Sequence, residues 1–187
     1  SAMLDKASST IVTQVEALRK LVDAFGDYAQ EPKPSLEPVR LDELIREVVA
    51  LYQQGDSDLQ FDLDLCAGPD GLAADSGRLR QLLHNLIRNA REARTGKPVT
   101  VSIRSEQLDQ AGAPLLKLQL WDDGPGFPDM VLEQPFEPYI SNKGRGSGLG
   151  LAICRKIISE HNGNISIANR SGYGAEIVIV IPLTPVL

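Results

Sequence analysis

Helical and strand periodicities alternate through residues 41–181, and their order limits the folds open to this chain. Helical spacing covers residues 41–52, 75–93 and 147–161, and strand alternation covers residues 59–65, 99–106, 115–121, 164–169 and 175–181. Strands that alternate between apolar and polar residues bury one face only, and helices between them cover that face. The pattern therefore predicts an α+β fold, a two-layer α/β sandwich with helices on one face of a mixed sheet.

A long helix is predicted before this region, at residues 4–30. Its seam repeats at spacings of four and three residues through Leu4, Ser8, Ile11, Val15, Leu18, Val22, Phe25 and Ala29. Such a narrow stripe is typical of a coiled coil or helical bundle, because it needs a partner helix. The alternative is that the helix folds back on its own globular domain. Three prolines within residues 31–38 then predict a stiff, extended linker.

The helix at residues 75–93 has three faces instead of the usual two. With Asn85 set at 0°, Asn89 falls at about 40° and Gln81 at about −40°. Arg78 and Glu92 share this polar arc, aliphatic residues fill a second arc, and a third arc is basic, with Arg80, His84, Arg88 and Arg91. A carboxamide oxygen suits Mg²⁺, and its NH₂ group can donate to a phosphate oxygen. The arc therefore indicates a cleft, the alternative being two solvent-facing asparagines.

Two glycine clusters flank residues 127–143 and indicate a ligand held between loops. In the first, Asp122 follows an apolar strand and precedes Gly124 and Gly126, so its carboxylate could accept a hydrogen bond from the adenine amino group. The second cluster opens a helix, whose free N–H groups suit a polyphosphate. It comprises Gly146, Ser147, Gly148, Leu149 and Gly150, with Lys143 and Arg145 adding positive charge before it. The set predicts adenine at the first loop, phosphates at the second and Mg²⁺ at the asparagines.

Composition excludes several other classes. The net charge of −6 does not suggest nonspecific nucleic-acid binding. Cys66 and Cys154 have no metal-ligand spacing and are predicted to be reduced, buried thiols. The apolar runs are far shorter than the roughly 20 residues of a membrane span. The two histidines, His84 and His161, are interpreted as solvated side chains and not as catalytic groups.

Five motifs in order resemble the ATP-binding domain of sensor histidine kinases. NLIRNAREA resembles the N box, DDGPGF the G1 box, FEPY the F box, GSGLGLAI the G2 box and SGYGAEIVI a G3-like turn. The resemblance implies the Bergerat fold shared with gyrase, Hsp90 and MutL. It also implies that Asp122 binds adenine, that Asn89 holds Mg²⁺ with Asn85 nearby, and that Lys143 helps to neutralise the transferred phosphate. The ATP lid would be the short stretch ISNKGR.

The N-terminal helix resembles the second helix of the dimerisation and phosphotransfer hairpin of these kinases. The implied domains are residues 1–31 for this helix, 32–38 for the linker and 39–187 for the ATP-binding catalytic domain. The wording of residues 10–52 looks most like nitrogen-regulation kinases of the NtrY type. The resemblance implies a homodimer through the helix, a response-regulator receiver domain as partner, and a cytoplasmic position within an inner-membrane sensor.

The phosphoacceptor is the main departure from the family pattern. Neither histidine lies in an H box, and the first hairpin helix is not in this sequence. The expected function is therefore to bind MgATP and donate its γ-phosphate to a histidine outside this chain. The alternatives are an ATPase of the gyrase type and a nucleotide-binding scaffold without kinase activity. Asn85 and His84 stand where such ATPases place a hydrolytic glutamate, so a water-activating base is not obvious.

Overall fold

The computed structural model of the protein describes residues 11–12, 15, 22, 26, 33–67, 72–93, 96–110, 112–140, 148–172 and 174–183. The strands among these residues are β1 (Glu37–Val39), β2 (Leu59–Cys66), β3 (Leu72–Ala74), β4 (Val99–Gln110), β5 (Ala113–Asp122), β6 (Asn164–Asn169) and β7 (Ala175–Pro182). Its helices from residue 33 onward are α1 (Leu41–Gly55), α2 (Ser76–Ala93), α3 (Asp129–Glu133) and α4 (Gly150–Glu160).

A five-stranded mixed sheet in the order β2-β4-β5-β7-β6 forms one layer. β2 and β4 are parallel and the other neighbours are antiparallel. A separate two-stranded sheet pairs β1 with β3. Alternation in the central strands turns one face inward, where register pairs such as Leu118 with Ile179 and Leu120 with Ile177 are buried.

The second layer consists of α1, α2 and α4, which contribute fully buried side chains such as Ile45, Leu86 and Ile158 to one core. Burying each such side chain contributes about 1.5–3 kcal/mol. The predicted two-layer sandwich is therefore confirmed. Both cysteines are free thiols, as predicted, and Cys154 is buried. The prediction that Cys66 is also buried is wrong, because it is exposed at the end of β2. No helix among the described residues is long and apolar enough to cross a membrane.

The predicted elements are present with shifted bounds. The hairpin between β4 and β5 is tighter than expected, because Gly112 turns the chain at φ +81° directly between the strands. α2 begins after Asp75, whose carboxylate accepts a hydrogen bond from the Arg78 N–H at 3.0 Å. The helix predicted from residue 147 begins at Gly150. β1, β3 and α3 were not predicted, since three to five residues carry too little periodicity.

The N-terminal helix is described only at scattered positions. Ile11, Val12, Val15, Val22 and Gly26 are helical. The seam side chains Ile11, Val15 and Val22 are 63%, 59% and 61% exposed, so the rest of the described chain does not cover them. The other predicted seam positions lie outside the described residues, and pairing of the helix stays a prediction.

Candidate nucleotide-binding site

Asp122 ends β5 on the inward face of the sheet, opposite Val101 of β4, and is 4% exposed. Its Oδ1 atom accepts hydrogen bonds from the N–H groups of Gly124 at 2.9 Å and Ala175 at 3.3 Å. Its backbone carbonyl accepts one from the Gly174 N–H at 2.7 Å. A buried carboxylate is costly unless donors compensate it, and here backbone donors hold it in one orientation. The neighbouring Asp123 instead bonds the Thr100 N–H at 2.8 Å.

The loop around Asp122 leaves no room for side chains on its glycines. A Cβ on Gly124 would lie 2.8 Å from Asp122 Oδ1, and a Cβ on Gly174 would clash with the same oxygen and lie 2.6 Å from the Gly124 carbonyl oxygen. The G1 box and the turn before β7 therefore form one close-packed backbone surface around the carboxylate. A flat ring can approach such a surface.

Asn169 is a positioning residue of this loop that the sequence did not reveal. Its Oδ1 accepts a hydrogen bond from the Phe127 N–H at 2.7 Å, and its Nδ2 donates to the Phe127 carbonyl at 2.8 Å. This pair of bonds ties the end of the G1 box to the end of β6. Asn169 and Phe127 are 42 residues apart, so no local pattern could have indicated the contact.

The polar arc of α2 faces α4, which explains why it is separate from the aliphatic arc. Arg78 Nε lies 3.9 Å from Glu160 Oε2 at the end of α4. Asn89 lies at the other end, where a Cβ on Gly150 would be 3.5 Å from its Oδ1. The two helices therefore run antiparallel. Asn85 lies between these contacts and is 7% exposed, so the alternative of solvent-facing asparagines is wrong for this residue.

The basic arc of α2 packs toward α1. Arg80 Nη2 lies 3.0 Å from Glu47 Oε2, and Arg91 Nε lies 2.7 Å from Asp56 Oδ2. Arg88 differs, because its Nη2 donates to Asn85 Oδ1 at 3.0 Å. Arg88 thus contacts the polar arc of its own helix, while Arg80 and Arg91 form ion pairs that join α2 to the α1 region.

The second glycine cluster is described from Gly148 onward. Gly148 has φ +66°, and a Cβ there would lie 2.6 Å from the carbonyl carbon of Tyr139, so only glycine fits without strain. Its carbonyl accepts the Tyr139 N–H at 3.1 Å, which brings the F box to the start of α4. Leu149 is 1% exposed and anchors this start in the core. The predicted residues Lys143, Arg145, Gly146 and Ser147 lie outside the described residues.

The prediction that His161 is solvated is wrong. The side chain is 5% exposed, its Nε2 accepts the Asp75 N–H at 3.0 Å, and its Nδ1 donates to the Ile157 carbonyl at 2.7 Å. Both ring nitrogens are thus used to join the end of α4 to the start of α2. The sequence did not reveal this role, because Asp75 is 86 residues away from His161.

His84 is half-buried and packs on α1, so it is not fully solvated either. Its Nδ1 lies 3.1 Å from the Tyr52 hydroxyl, and the two rings are 5.6 Å apart. Desolvation lowers the pKa of His84 below its usual value, and the charges of Arg80 and Arg88 lower it further. The folded protein therefore resists protonation of this ring.

The shifted pKa of His84 predicts a pH dependence of stability. We expect the free energy of unfolding to fall as the pH drops from about 7.5 to about 5.5. In the unfolded chain His84 takes up a proton near the usual histidine pKa of about 6.5, whereas in the folded chain it does so only at lower pH. The variant His84→Gln should show a shallower fall. Urea titrations across this range measure the slopes, and equal slopes for both proteins would contradict the assignment.

Comparison with known proteins identifies the family. Residues 74–185 match the family described as histidine kinase-, DNA gyrase B- and HSP90-like ATPase, which is more than half of the chain. The chain belongs to this ATPase family. The residues matched include α2, the G1 box and the start of α4, so the site described above lies in the family's ATP-binding domain.

Curated relatives of the chain include a nitrogen regulation protein and a sensory histidine kinase. The chain is 31% identical over 185 residues to nitrogen regulation protein NtrY of Azorhizobium caulinodans, covering 96% of this chain and 24% of that protein. It is 31% identical over 173 residues to the sensory histidine kinase/phosphatase NtrB of Rhodobacter capsulatus, covering 87% of this chain and 48% of that protein. The chain thus spans less than half the length of either relative.

Solved structures of histidine kinases superpose on the fold. The nucleotide-free catalytic domain of histidine kinase ThkA is 35% identical with a TM-score of 0.68, covering 80% of this chain and 97% of that one. ThkA in complex with response regulator protein TrrA is 31% identical with a TM-score of 0.77, covering 97% of this chain and 52% of that one. The predicted resemblance to histidine-kinase ATP-binding domains is therefore confirmed.

Proposed function

We propose that the chain is the catalytic part of a two-component sensor histidine kinase of the nitrogen-regulation type. The observation that carries the proposal is the buried Asp122 carboxylate, fixed by backbone donors at a strand end that is surrounded by glycine backbone. The similarity to the histidine kinases NtrB and ThkA and to the nitrogen regulation protein NtrY supports it. Residues 1–31 would be the second hairpin helix, 32–38 the linker and 39–187 the catalytic domain.

The nucleotide would bind with adenine at Asp122 and its phosphates at the start of α4. A carboxylate acceptor beside bare backbone recognises the adenine amino group by a hydrogen bond. Gly150 opens a helix of 11 residues, whose N-terminal N–H groups and dipole favour a polyphosphate. Lys143 and Arg145, just before that helix, supply positive charge to the same phosphates.

The asparagine side chains of α2 fit a hard cation, because a carboxamide oxygen is a ligand that Mg²⁺ accepts beside phosphate and water oxygens. Asn89, with Asn85 one turn before it, would hold the ion near the start of α4. When bound, Mg²⁺ neutralises charge on the phosphates during transfer. The chain's own contribution is positioning: Asp122 and α4 hold the nucleotide, and Lys143 screens the γ-phosphate.

The γ-phosphate acceptor would be a histidine on the first hairpin helix of the full-length protein. That histidine would pass the phosphate to an aspartate of a response-regulator receiver domain, a partner class that the complex of ThkA with TrrA supports. We also propose a homodimer through the N-terminal helix and a cytoplasmic position within an inner-membrane sensor.

Phosphohistidine formation tests the kinase proposal. Incubated alone with γ-labelled ATP, the chain should acquire no acid-labile label, because His161 is buried with both nitrogens bonded and His84 is half-buried against Tyr52. The full-length protein should acquire it. Label on His84 or His161 would contradict the assignment. If the full-length protein hydrolyses ATP but acquires no acid-labile label, the alternative of an ATPase without kinase activity is favoured.

A further inference from the structure

The contact between Arg88 and Asn85 fixes which way the Asn85 carboxamide points. Arg88 Nη2 lies 3.0 Å from Asn85 Oδ1. A guanidinium only donates, so the atom that faces it must be the oxygen. The Asn85 NH₂ group therefore points away from Arg88.

The NH₂ group of Asn85 is buried without a hydrogen-bond partner among the described residues. The side chain is 7% exposed, and buried donors in proteins are nearly always bonded. Asn85 shares its arc with Asn89, whose carboxamide lies beside Gly150 at the start of α4. The unpaired donor thus lies on the helix face that leads to the phosphate end of the proposed site.

We propose that Arg88 is a positioning residue that holds the oxygen of Asn85 and thereby presents its NH₂ group as a donor to a phosphate oxygen of the nucleotide. The inference rests on the proposed function, since it assigns a role within the same site. It changes the expectation for one residue: an NH₂ group cannot ligate a cation, so Asn85 binds the anion and Asn89 alone of the pair is left for Mg²⁺.

The surroundings of Arg88 set it apart from its neighbours on the basic arc. Arg80 and Arg91 form ion pairs with Glu47 and Asp56 of the α1 region. Arg88 stays on its own helix, with Nε 3.8 Å from Glu92 Oε1 and Nη2 on Asn85. Its side chain is 54% exposed, so a substitution there removes the bond without opening a cavity in the core.

The experiment compares Arg88→Met, Arg88→Lys and the matched control Arg91→Met, which removes an arginine from the same arc. Calorimetry measures ADP affinity once with EDTA and once with Mg²⁺. Arg88→Met should weaken ADP binding about three- to tenfold in both conditions. Without Arg88 the Asn85 side chain can rotate, and its NH₂ group is no longer held as a donor to the charged phosphate. Arg88→Lys keeps a donor and should recover most of the affinity, and Arg91→Met should match the parent.

The Asn85 variants give a second, independent readout. With EDTA, Asn85→Asp should bind ADP more weakly than Asn85→Ala, because a carboxylate repels phosphate where the NH₂ group attracts it. Adding Arg88→Met to Asn85→Ala should cost nothing further, since the two residues act as one unit. An Asn85→Asp variant that matches Asn85→Ala in EDTA and exceeds it with Mg²⁺ would overturn the inference and restore Asn85 as a metal ligand.

The outcome for Asp122→Asn separates the two levels of the argument. If Asp122→Asn leaves ADP affinity unchanged, the proposed nucleotide site itself is wrong. If Asp122→Asn weakens binding while Arg88→Met does not, the site stands and only the role of Arg88 is refuted.

Discussion

Replacing Asp122 with asparagine should weaken binding of ATP and ADP together by about ten- to a hundredfold, the range for a hydrogen bond to a charged group. The fold should survive, because the asparagine oxygen can still accept the N–H groups of Gly124 and Ala175 that now bond Oδ1. What changes is the second oxygen, which becomes an NH₂ group. A donor would then face the donating amino group of adenine.

Asp123 provides the matched control for this prediction. It is the adjacent carboxylate, yet it bonds the Thr100 N–H at the start of β4. Asp123→Asn should leave the affinity for both nucleotides unchanged. Calorimetric titration of the two variants and the parent, with thermal unfolding to verify folding, measures the difference. Equal affinities for Asp122→Asn and the parent would remove adenine recognition from Asp122.

Much of the fold could be predicted from the sequence because its long elements carry a clear period. The eight residues of β2 alternate strictly, and the 18 residues of α2 repeat at helical spacing. Three-residue strands such as β1 and β3 show no period, and only their pairing with each other stabilises them. Their existence follows from tertiary structure, which local patterns do not contain.

The candidate site divides in the same way. Asp122 and the glycines could be proposed as site residues from the sequence, because a carboxylate at a strand end and the glycines that follow it are adjacent in the chain. Asn169 and His161 were not, because Asn169 bonds a backbone group 42 residues away and His161 bonds one 86 residues away. Asn85 was predicted as a site residue, but its orientation depends on the rotamer of Arg88. Residue type and spacing thus predict which residues form the site, whereas the atoms that would face a ligand depend on side-chain contacts.

The second large effect concerns assembly through the N-terminal helix. The seam residues Ile11, Val15 and Val22 are 63%, 59% and 61% exposed in the single chain. Burying one such side chain contributes about 1.5–3 kcal/mol, and several together exceed the entropic cost of docking two chains. We therefore expect a homodimer through this helix. The combined variant Val15→Glu, Val22→Glu should be monomeric, because association would bury four carboxylates without partners.

Val12 offers a control on the same helix, since it is 54% exposed but lies off the seam. Val12→Glu should leave the dimer intact, whereas the single variant Val15→Glu should weaken it. ADP affinity should be the same in all these proteins, because the prolines at positions 32, 34 and 38 separate the helix from the nucleotide site. Sedimentation velocity at high micromolar concentration measures the assembly. A monomeric parent would refute the dimer, and equal weakening by Val12→Glu and Val15→Glu would show that the heptad seam is not the contact surface.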